Sequence, residues 1–313
     1  MGTARIVIPE FMDERAVAQL QAGHEVLYAP ALVDDGPRLL TEAANADALI
    51  VRNRTQVRGP LLAALLPRCK VIGRLGVGLD NIDVDACTVA GMAVIPATGA
   101  NAQSVAEYVV TTALLLLRGV YASTGAVAQG KWPRNALSNG REIGGKTLGL
   151  VGFGSIGQLT AGLARALGMS VLAHDPMLAP DHAAFVGCGV TPTPLNRLLA
   201  TADVVSLHVP LVDATRGLFD ATRLAAMKPG AVLINTARGG IVDELALAQA
   251  LRGGHLGGAA IDVFDREPLP ASAHFDGCPN LLLTPHVAGV TAEANERVSF
   301  MIAERVAQAL VAA

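Results

Sequence analysis

The sequence predicts an α/β protein made of two doubly wound parallel-sheet domains. Short apolar, β-branched runs alternate with segments of helical spacing along nearly the whole chain, the grammar of parallel strands covered by helices. The chain of 313 residues is too long for one small core and suits two domains of ~150 residues each. One Gly-x-Gly-x-x-Gly turn directly follows an apolar run near the middle.

Taken in order, Arg5–Ile8 reads as a strand, residues 12–22 as a helix, 24–28 as a strand, 36–45 as a helix and Ala48–Val51 as a strand. A short helix over 60–66 and strands over 71–75 and 92–95 complete a first domain without a glycine fingerprint. Residues 101–130 read as one long, mostly apolar helix, with Asn101 as its N-cap and Gln129-Gly130 as its stop. Apolar residues on more than one of its faces suggest burial on both sides, with a subunit interface as one use. Its most apolar part, 109–117, is bounded by Glu107 and Arg118 and is too short to span a bilayer.

The second domain begins at Lys146-Thr-Leu-Gly-Leu-Val-Gly-Phe-Gly-Ser-Ile-Gly157, after the only tryptophan, Trp132. This pattern predicts a dinucleotide-binding loop. Gly152 allows the sharp turn, Gly154 removes the side chain that would block a pyrophosphate, and Gly157 lets the helix pack closely on its strand. A helix over 155–167, a strand over 169–174 and then Asp175 put an acid where a ribose 2′-hydroxyl is bound. Strands follow over 203–209, 231–235, 257–263 and 281–284, with helices over 221–226 and 243–252, and a last helix over 292–312 closes the chain.

Polar residues stand at the ends of the later strands, where ligands bind in open parallel sheets. They are His208-Val-Pro210, Asn235-Thr-Ala-Arg238-Gly-Gly240, Asp262-Val-Phe-Asp-Arg-Glu267-Pro268 and Thr284-Pro-His286. Singly, Arg238 could be a surface cation, His286 a structural histidine and Glu267 a solvated acid. Together they form a chemical set. A His–Glu pair supplies a base for a hydroxyl proton, Arg238 offers a planar fork to a carboxylate, and a nicotinamide takes the hydride. Metal chemistry competes poorly, because neither the histidines nor the scattered Cys69, Cys87, Cys188 and Cys278 show ligand spacing.

These motifs, with Asn235-Thr-Ala-Arg-Gly-Gly-Ile-Val-Asp243 and Ala260-Ile-Asp-Val-Phe264, resemble the D-isomer-specific 2-hydroxyacid dehydrogenases over nearly the full chain. The resemblance implies catalytic roles for Arg238, Glu267 and His286 and places the nicotinamide-amide acid on Asp262. It lines the cofactor cleft with Gly152, Gly154, Ser155, Ile156, Gly157, Asp175, Pro210, Thr215 and the backbone around His208 and Thr236. It also implies a Rossmann nucleotide-binding domain over 101–286 and a flavodoxin-like substrate domain assembled from 1–100 and 287–313, with a cleft between them. A homodimer through the nucleotide domain is expected on the same ground. No Arg or Lys adjoins Asp175, so NAD is the expected cofactor.

The stretch Gly73-Arg-Leu-Gly-Val-Gly-Leu-Asp-Asn-Ile-Asp83 resembles the substrate loop of 3-phosphoglycerate dehydrogenases, with the backbone of Leu75, Gly76 and Val77 able to hold a carboxylate. Arg52 and Arg74 match the positions that hold a distal phosphate there, and Arg54 adds a further charge, though it could equally be a surface residue. Arg52-Asn-Arg-Thr-Gln-Val57, Gly73-Arg-Leu-Gly-Val-Gly78 and Pro96-Ala-Thr-Gly99 look closer still to bacterial sulfolactate dehydrogenases. The expected substrate is therefore a small 2-hydroxy acid with a second anion, 3-sulfolactate/sulfopyruvate or alternatively 3-phosphoglycerate. Relatives of this fold that act as NAD-sensing corepressors form a reading of another class.

A net charge of −3, with Lys+Arg 24 against Asp+Glu 27, offers no basic stripe for nucleic acid or an anionic membrane. With 51% hydrophobic and 16% charged residues the composition is that of a folded soluble protein. No signal peptide is readable at the N-terminus, and unpaired cysteine spacing fits a reducing, cytoplasmic setting. No regulatory domain follows the closing helix, so serine feedback is not expected.

Overall fold

The computed structural model describes residues 3–271 and 274–312. The chain divides into two compact units, Met1–Asn101 with Val290–Ala313, and Ala102–Gly289. The second junction thus falls three residues beyond the expected break after His286.

The first unit runs β1 (Arg5–Ile8), α1 (Glu14–Gln21), β2 (Glu25–Tyr28), α2 (Gly36–Ala43), β3 (Ala48–Val51), α3 (Gly59–Leu65), β4 (Val71–Arg74), α4 (Val84–Val89) and β5 (Ala93–Pro96). Its parallel sheet has the order β2-β1-β3-β4-β5, the doubly wound order of flavodoxin-like folds. Alternate strand residues feed two cores. Ile6, Ile8, Ala48 and Ile50 pack with Val298, Ile302 and Val306 of the chain's last helix, while Val7, Leu49, Val51 and Ile72 pack with Leu39, Leu61 and Leu65. Each such Val, Leu or Ile side chain contributes about 1.5–3 kcal/mol on burial. Asp13, Asp35 and Asp83 cap α1, α2 and α4 by accepting backbone N–H groups of their first turns, worth about 1 kcal/mol apiece.

The second unit runs α5 (Ala102–Arg118), α6 (Thr124–Ala128), β6 (Thr147–Val151), α7 (Ser155–Ala166), β7 (Ser170–His174), α8 (Ala183–Cys188), β8 (Thr191–Pro192), α9 (Leu195–Thr201), β9 (Val204–Leu207), α10 (Ala221–Ala225), β10 (Val232–Asn235), α11 (Glu244–Arg252), β11 (Gly258–Ile261) and β12 (Leu281–Leu283). The sheet order is β12-β11-β10-β9-β6-β7-β8. Counted from β6, the first six strands follow the Rossmann order, with β12 as an added edge. Val232 and Ile234 enter one core and Leu233 the other, so both faces are covered. The chain then returns to the first unit as α12 (Ala292–Ala312).

The expected single helix over 101–130 is broken. Gly119 has φ +66, a left-handed conformation that ends α5 after Arg118, and a separate turn and α6 follow. Asn101 does not cap it with its side chain, since Oδ1 is buried without a hydrogen-bond partner. Three short helices, α4, α8 and α9, fall in stretches where no element was expected. Each has six or seven residues, too few to establish a helical period.

Candidate active site

The parallel register of the second sheet lines up its strand ends. Leu283 pairs with Ile261, Ile261 with Asn235, Asn235 with Leu207, Leu207 with Val151, and Val151 with His174. The residues that come next, Thr284, Asp262, Thr236, His208, Gly152 and Asp175, therefore leave the sheet along one carboxyl edge.

Along that edge the glycines of the turn have three different surroundings. A Cβ on Gly152, whose φ is +95, would lie 2.6 Å from the carbonyl oxygen of His208, and one on Gly157 would lie 2.7 Å from that of Gly152. Both glycines are needed for backbone packing. A Cβ on Gly154 would meet nothing within 4 Å, so that face is open. Gly154 is also the N-cap of α7 and offers no side chain to its first turn, leaving N–H groups and the positive dipole end for an anion. Ser155 is exposed and Ile156 partly buried beside it. Asp175 Oδ2 accepts the N–H of Phe153 at 2.8 Å and Oδ1 that of Met177 at 2.9 Å, which ties the acid to the turn itself. The Oγ1 of Thr236 is buried with no hydrogen-bond partner. Open glycine face, uncapped helix and orphan hydroxyl all fit a dinucleotide.

His208 turns its Nε2 to Ser206 Oγ at 3.0 Å, and burial lowers its pKa to about 4. Thr215 uses its hydroxyl locally, donating to Pro210 O at 2.5 Å and accepting the Val212 N–H at 2.9 Å. That side chain closes the 210–215 loop.

The three residues expected to carry chemistry follow neighbouring strands β10, β11 and β12. His286 Nδ1 lies 2.7 Å from Glu267 Oε2, and Glu267 Oε1 accepts the Phe264 N–H at 3.0 Å. The backbone of His286 has φ +55. Arg238 donates from Nη1 to the carbonyl of Ala237 at 2.6 Å. Its loop is held by the buried Asn235, which accepts from Ala237 N and donates to Arg238 O. Gly239 binds that loop to the one carrying Glu267, because a Cβ there would sit 1.9 Å from the Phe264 carbonyl oxygen.

Asp262 is 1% exposed. Its Oδ1 accepts the Thr284 hydroxyl at 2.6 Å and the Val287 N–H at 2.8 Å, and its Oδ2 accepts the Ala288 N–H at 2.9 Å. The carboxylate thus holds the segments on both sides of His286. Tyr108, on α5, meets Thr284 Oγ1 at 2.7 Å. Neither Tyr108 nor Thr284 was expected in this role; a tyrosine in an apolar helix gives no local sign of a partner 176 residues away.

In the first unit, Val51 pairs with Arg74, so Arg52 and Arg74 occupy the carboxyl ends of adjacent strands. Arg52 donates from Nη2 to Asn295 Oδ1 at 2.7 Å and its guanidinium lies 5.6 Å from the Phe11 ring centre. Arg74 donates to Asn81 Oδ1 at 3.2 Å and Leu75 O at 2.8 Å. Arg54 is turned elsewhere: its side chain is 57% exposed and pairs with Asp34. Leu75 is buried, and Gly76 and Val77 are partly buried in the following loop. No described helix is long and apolar enough to cross a membrane, and no cluster of three potential metal ligands occurs among the described residues.

Residues 110–288 match the model of the D-isomer-specific 2-hydroxyacid dehydrogenase NAD-binding domain. The chain is 55% identical to an (S)-sulfolactate dehydrogenase of Chromohalobacter salexigens over 97% of its length and 98% of that protein. It is 44% identical to a D-3-phosphoglycerate dehydrogenase of Mycobacterium bovis, matching 99% of this chain but 57% of that longer protein. The solved TT0316 protein of Thermus thermophilus superposes with a TM-score of 0.88 at 34% identity, covering 98% of this chain and 97% of that one. The register-aligned edge, the glycine turn and these similarities agree: the chain belongs to the D-isomer-specific 2-hydroxyacid dehydrogenase family.

Proposed function

We propose that the protein interconverts a small 2-hydroxy acid bearing a second anion and its 2-oxo acid, with 3-sulfolactate/sulfopyruvate as the pair. The dehydrogenase part of this reading rests above all on the His286–Glu267 pair, with Arg238 on the loop that packs, through Gly239, against the one carrying Glu267. Bound nicotinamide supplies the hydride acceptor or donor. His286 takes the hydroxyl proton on its Nε2 during oxidation and returns it during reduction, while Glu267 holds Nδ1 and so orients the ring. Arg238 places the substrate carboxylate by its planar fork. Asp262 keeps the His286 loop in place, with Tyr108 and Thr284 behind it.

NAD is the proposed cofactor in preference to NADP, because the Asp175 carboxylate repels a 2′-phosphate and suits a 2′-hydroxyl. Arg52 and Arg74 are the proposed receivers of the second anion, and Leu75, Gly76 and Val77 of the carboxylate end. Arg54, paired with Asp34, drops out of that set. The likeness to the Chromohalobacter enzyme favours sulfonate; the likeness to the Mycobacterium enzyme keeps phosphoglycerate as the second reading. A homodimer in the cytoplasm completes the proposal, supported by the long apolar α5 and the unpaired cysteine spacing.

Steady-state rates with NAD(H) on sulfopyruvate, phosphohydroxypyruvate, glyoxylate and pyruvate test the reading. A preference for sulfopyruvate supports it, a preference for phosphohydroxypyruvate transfers it to the second reading, and equal rates on all four remove the arginine pocket. NADH binding without turnover of any of them would favour an NAD sensor.

A further inference from the structure

The segment that carries His286 hangs from β12, a short edge strand paired with β11 on one side. The outer side of such a strand has no ladder to hold it. Here α5 fastens it at both ends. Before the strand, Asn280 Nδ2 donates to Leu116 O at 3.0 Å, and after it Thr284 Oγ1 lies 2.7 Å from the Tyr108 hydroxyl. Residues 108–116 span about 12 Å of helix and residues 280–284 about 13 Å of strand. The two fastenings therefore match in reach, with α5 running antiparallel to β12. The helix is itself fixed, since Val105, Val109, Ala113 and Leu116 share a core with Ile234 and Ala260 of the sheet.

The fastening nearest the histidine has a fixed direction. Thr284 has a single hydroxyl proton and gives it to Asp262 Oδ1 at 2.6 Å. Toward Tyr108 it can then only accept, so the phenol donates. Burial, with the Asp262 carboxylate, outweighs the contact with Thr284 and pushes the Tyr108 phenol above its ordinary value, so it carries its proton throughout the neutral range. Asp262 passes the constraint on. Its carboxylate takes the Val287 and Ala288 N–H groups, and its backbone carbonyl takes that of His286 at 2.8 Å. Among these contacts His286 holds φ +55, a conformation that a side-chain-bearing residue keeps only when its surroundings impose it. From that backbone the imidazole meets Glu267.

We propose that Tyr108 is a positioning residue for the dehydrogenase reaction: by donating to Thr284 it completes the clamp that Thr284 and Asp262 form on residues 286–288, and so fixes the backbone from which His286 acts. Tyr108 works through two other residues. Removing its hydroxyl frees β12 from α5 at the end nearest the base, and small displacements there matter because proton and hydride transfer need closely set geometry. The inference rests on the reading of His286 as the acid–base group.

The test follows single-turnover NADH oxidation by whichever of sulfopyruvate, phosphohydroxypyruvate, glyoxylate and pyruvate the wild type reduces fastest. Tyr108→Phe, which keeps the ring, should lower that rate on the order of five-fold, with KM and the dissociation constant for NADH little changed. Thr284→Val should lower it further, and Thr284→Ser, which keeps the hydroxyl, should recover most of the loss. The double variant Tyr108→Phe/Thr284→Val should be no slower than Thr284→Val, because the phenol then has nothing to act through. A wild-type rate in Tyr108→Phe, with or without a lower melting temperature, overturns the inference, as do losses that add in the double variant. Should Thr284→Val not fold, the rate of folded Tyr108→Phe decides alone, a slower one supporting the inference and an unchanged one overturning it. A His286→Ala variant that keeps the wild-type rate instead sinks the reading of His286, and this inference with it.

Discussion

The Nδ1 of His286 and the Oε2 of Glu267 lie 2.7 Å apart, and the other oxygen of that carboxylate is fixed by the backbone N–H of Phe264. The imidazole is thereby oriented by a group that is itself anchored, leaving Nε2 as the nitrogen that can exchange a proton with substrate.

Replacing His286 with Ala should lower kcat by about 10²–10⁴-fold while leaving the dissociation constant for NADH, read by fluorescence titration, nearly unchanged. Glu267→Gln should lower kcat by a smaller factor, because the histidine remains but loses its charged partner. Loss of NADH affinity in His286→Ala would assign the residue to the fold instead.

The glycines of the turn should separate binding from stability. Gly154→Ala places its methyl in open space, so the protein should keep its melting temperature while NADH affinity falls. Gly157→Ala drives a Cβ to 2.7 Å from the Gly152 carbonyl oxygen and should destabilise the fold by about 1–3 kcal/mol, seen in the urea midpoint. Equal melting temperatures for the two variants would contradict this division.

Asp175→Ala should both narrow the preference for NAD over NADP and loosen the turn, since the N–H groups of Phe153 and Met177 lose their acceptor. The expected stability cost is about 1–3 kcal/mol. An unchanged ratio of kcat/KM for the two cofactors would remove Asp175 from ribose recognition.

Acid should weaken the second unit through His208. Its pKa is lowered by burial from 6.5 to about 4, so between those values the unfolded chain binds the extra proton and the folded chain does not. The stability contributed by the neutral imidazole is complete above pH 6.5, declines as pH falls toward 4, and is then fully lost. The expected span is roughly 2–3 kcal/mol. Urea unfolding of His208→Gln should show a shallower decline over this window than the wild type; parallel curves would refute the assignment.

The β6–α7–β7 unit was legible because its information is local: an apolar run, three glycines at fixed spacing and an acid at the next strand end. The three residues proposed to carry the chemistry stood out as residue types at strand ends, but sequence spacing does not show that His286 meets Glu267 and not another acid. That the buried Glu10 carboxylate accepts the backbone N–H groups of Arg52, Asn53, Arg54 and Thr55 was hidden altogether. Beside Pro9 and near Asp13 and Glu14, Glu10 looks like one more surface acid, and its partners are 42–45 residues downstream. The break at Gly119 was overridden by the apolar content of 101–130, although a glycine after Arg118 is an ordinary helix stop.

The last helix sets the timetable on which the protein can be made. Val306 and Ile302 approach Gly73 so closely that a Cβ there would lie 2.8 and 2.9 Å from them, and with Val298 they complete one core of the first unit. The strands of the first unit must therefore wait for α12, which is synthesised after the whole of the second unit. The second unit is continuous in sequence and draws on no later segment to complete its sheet. Until α12 arrives, β1, β3 and β4 present an uncovered apolar face, and that interval is when a chaperone has most to do.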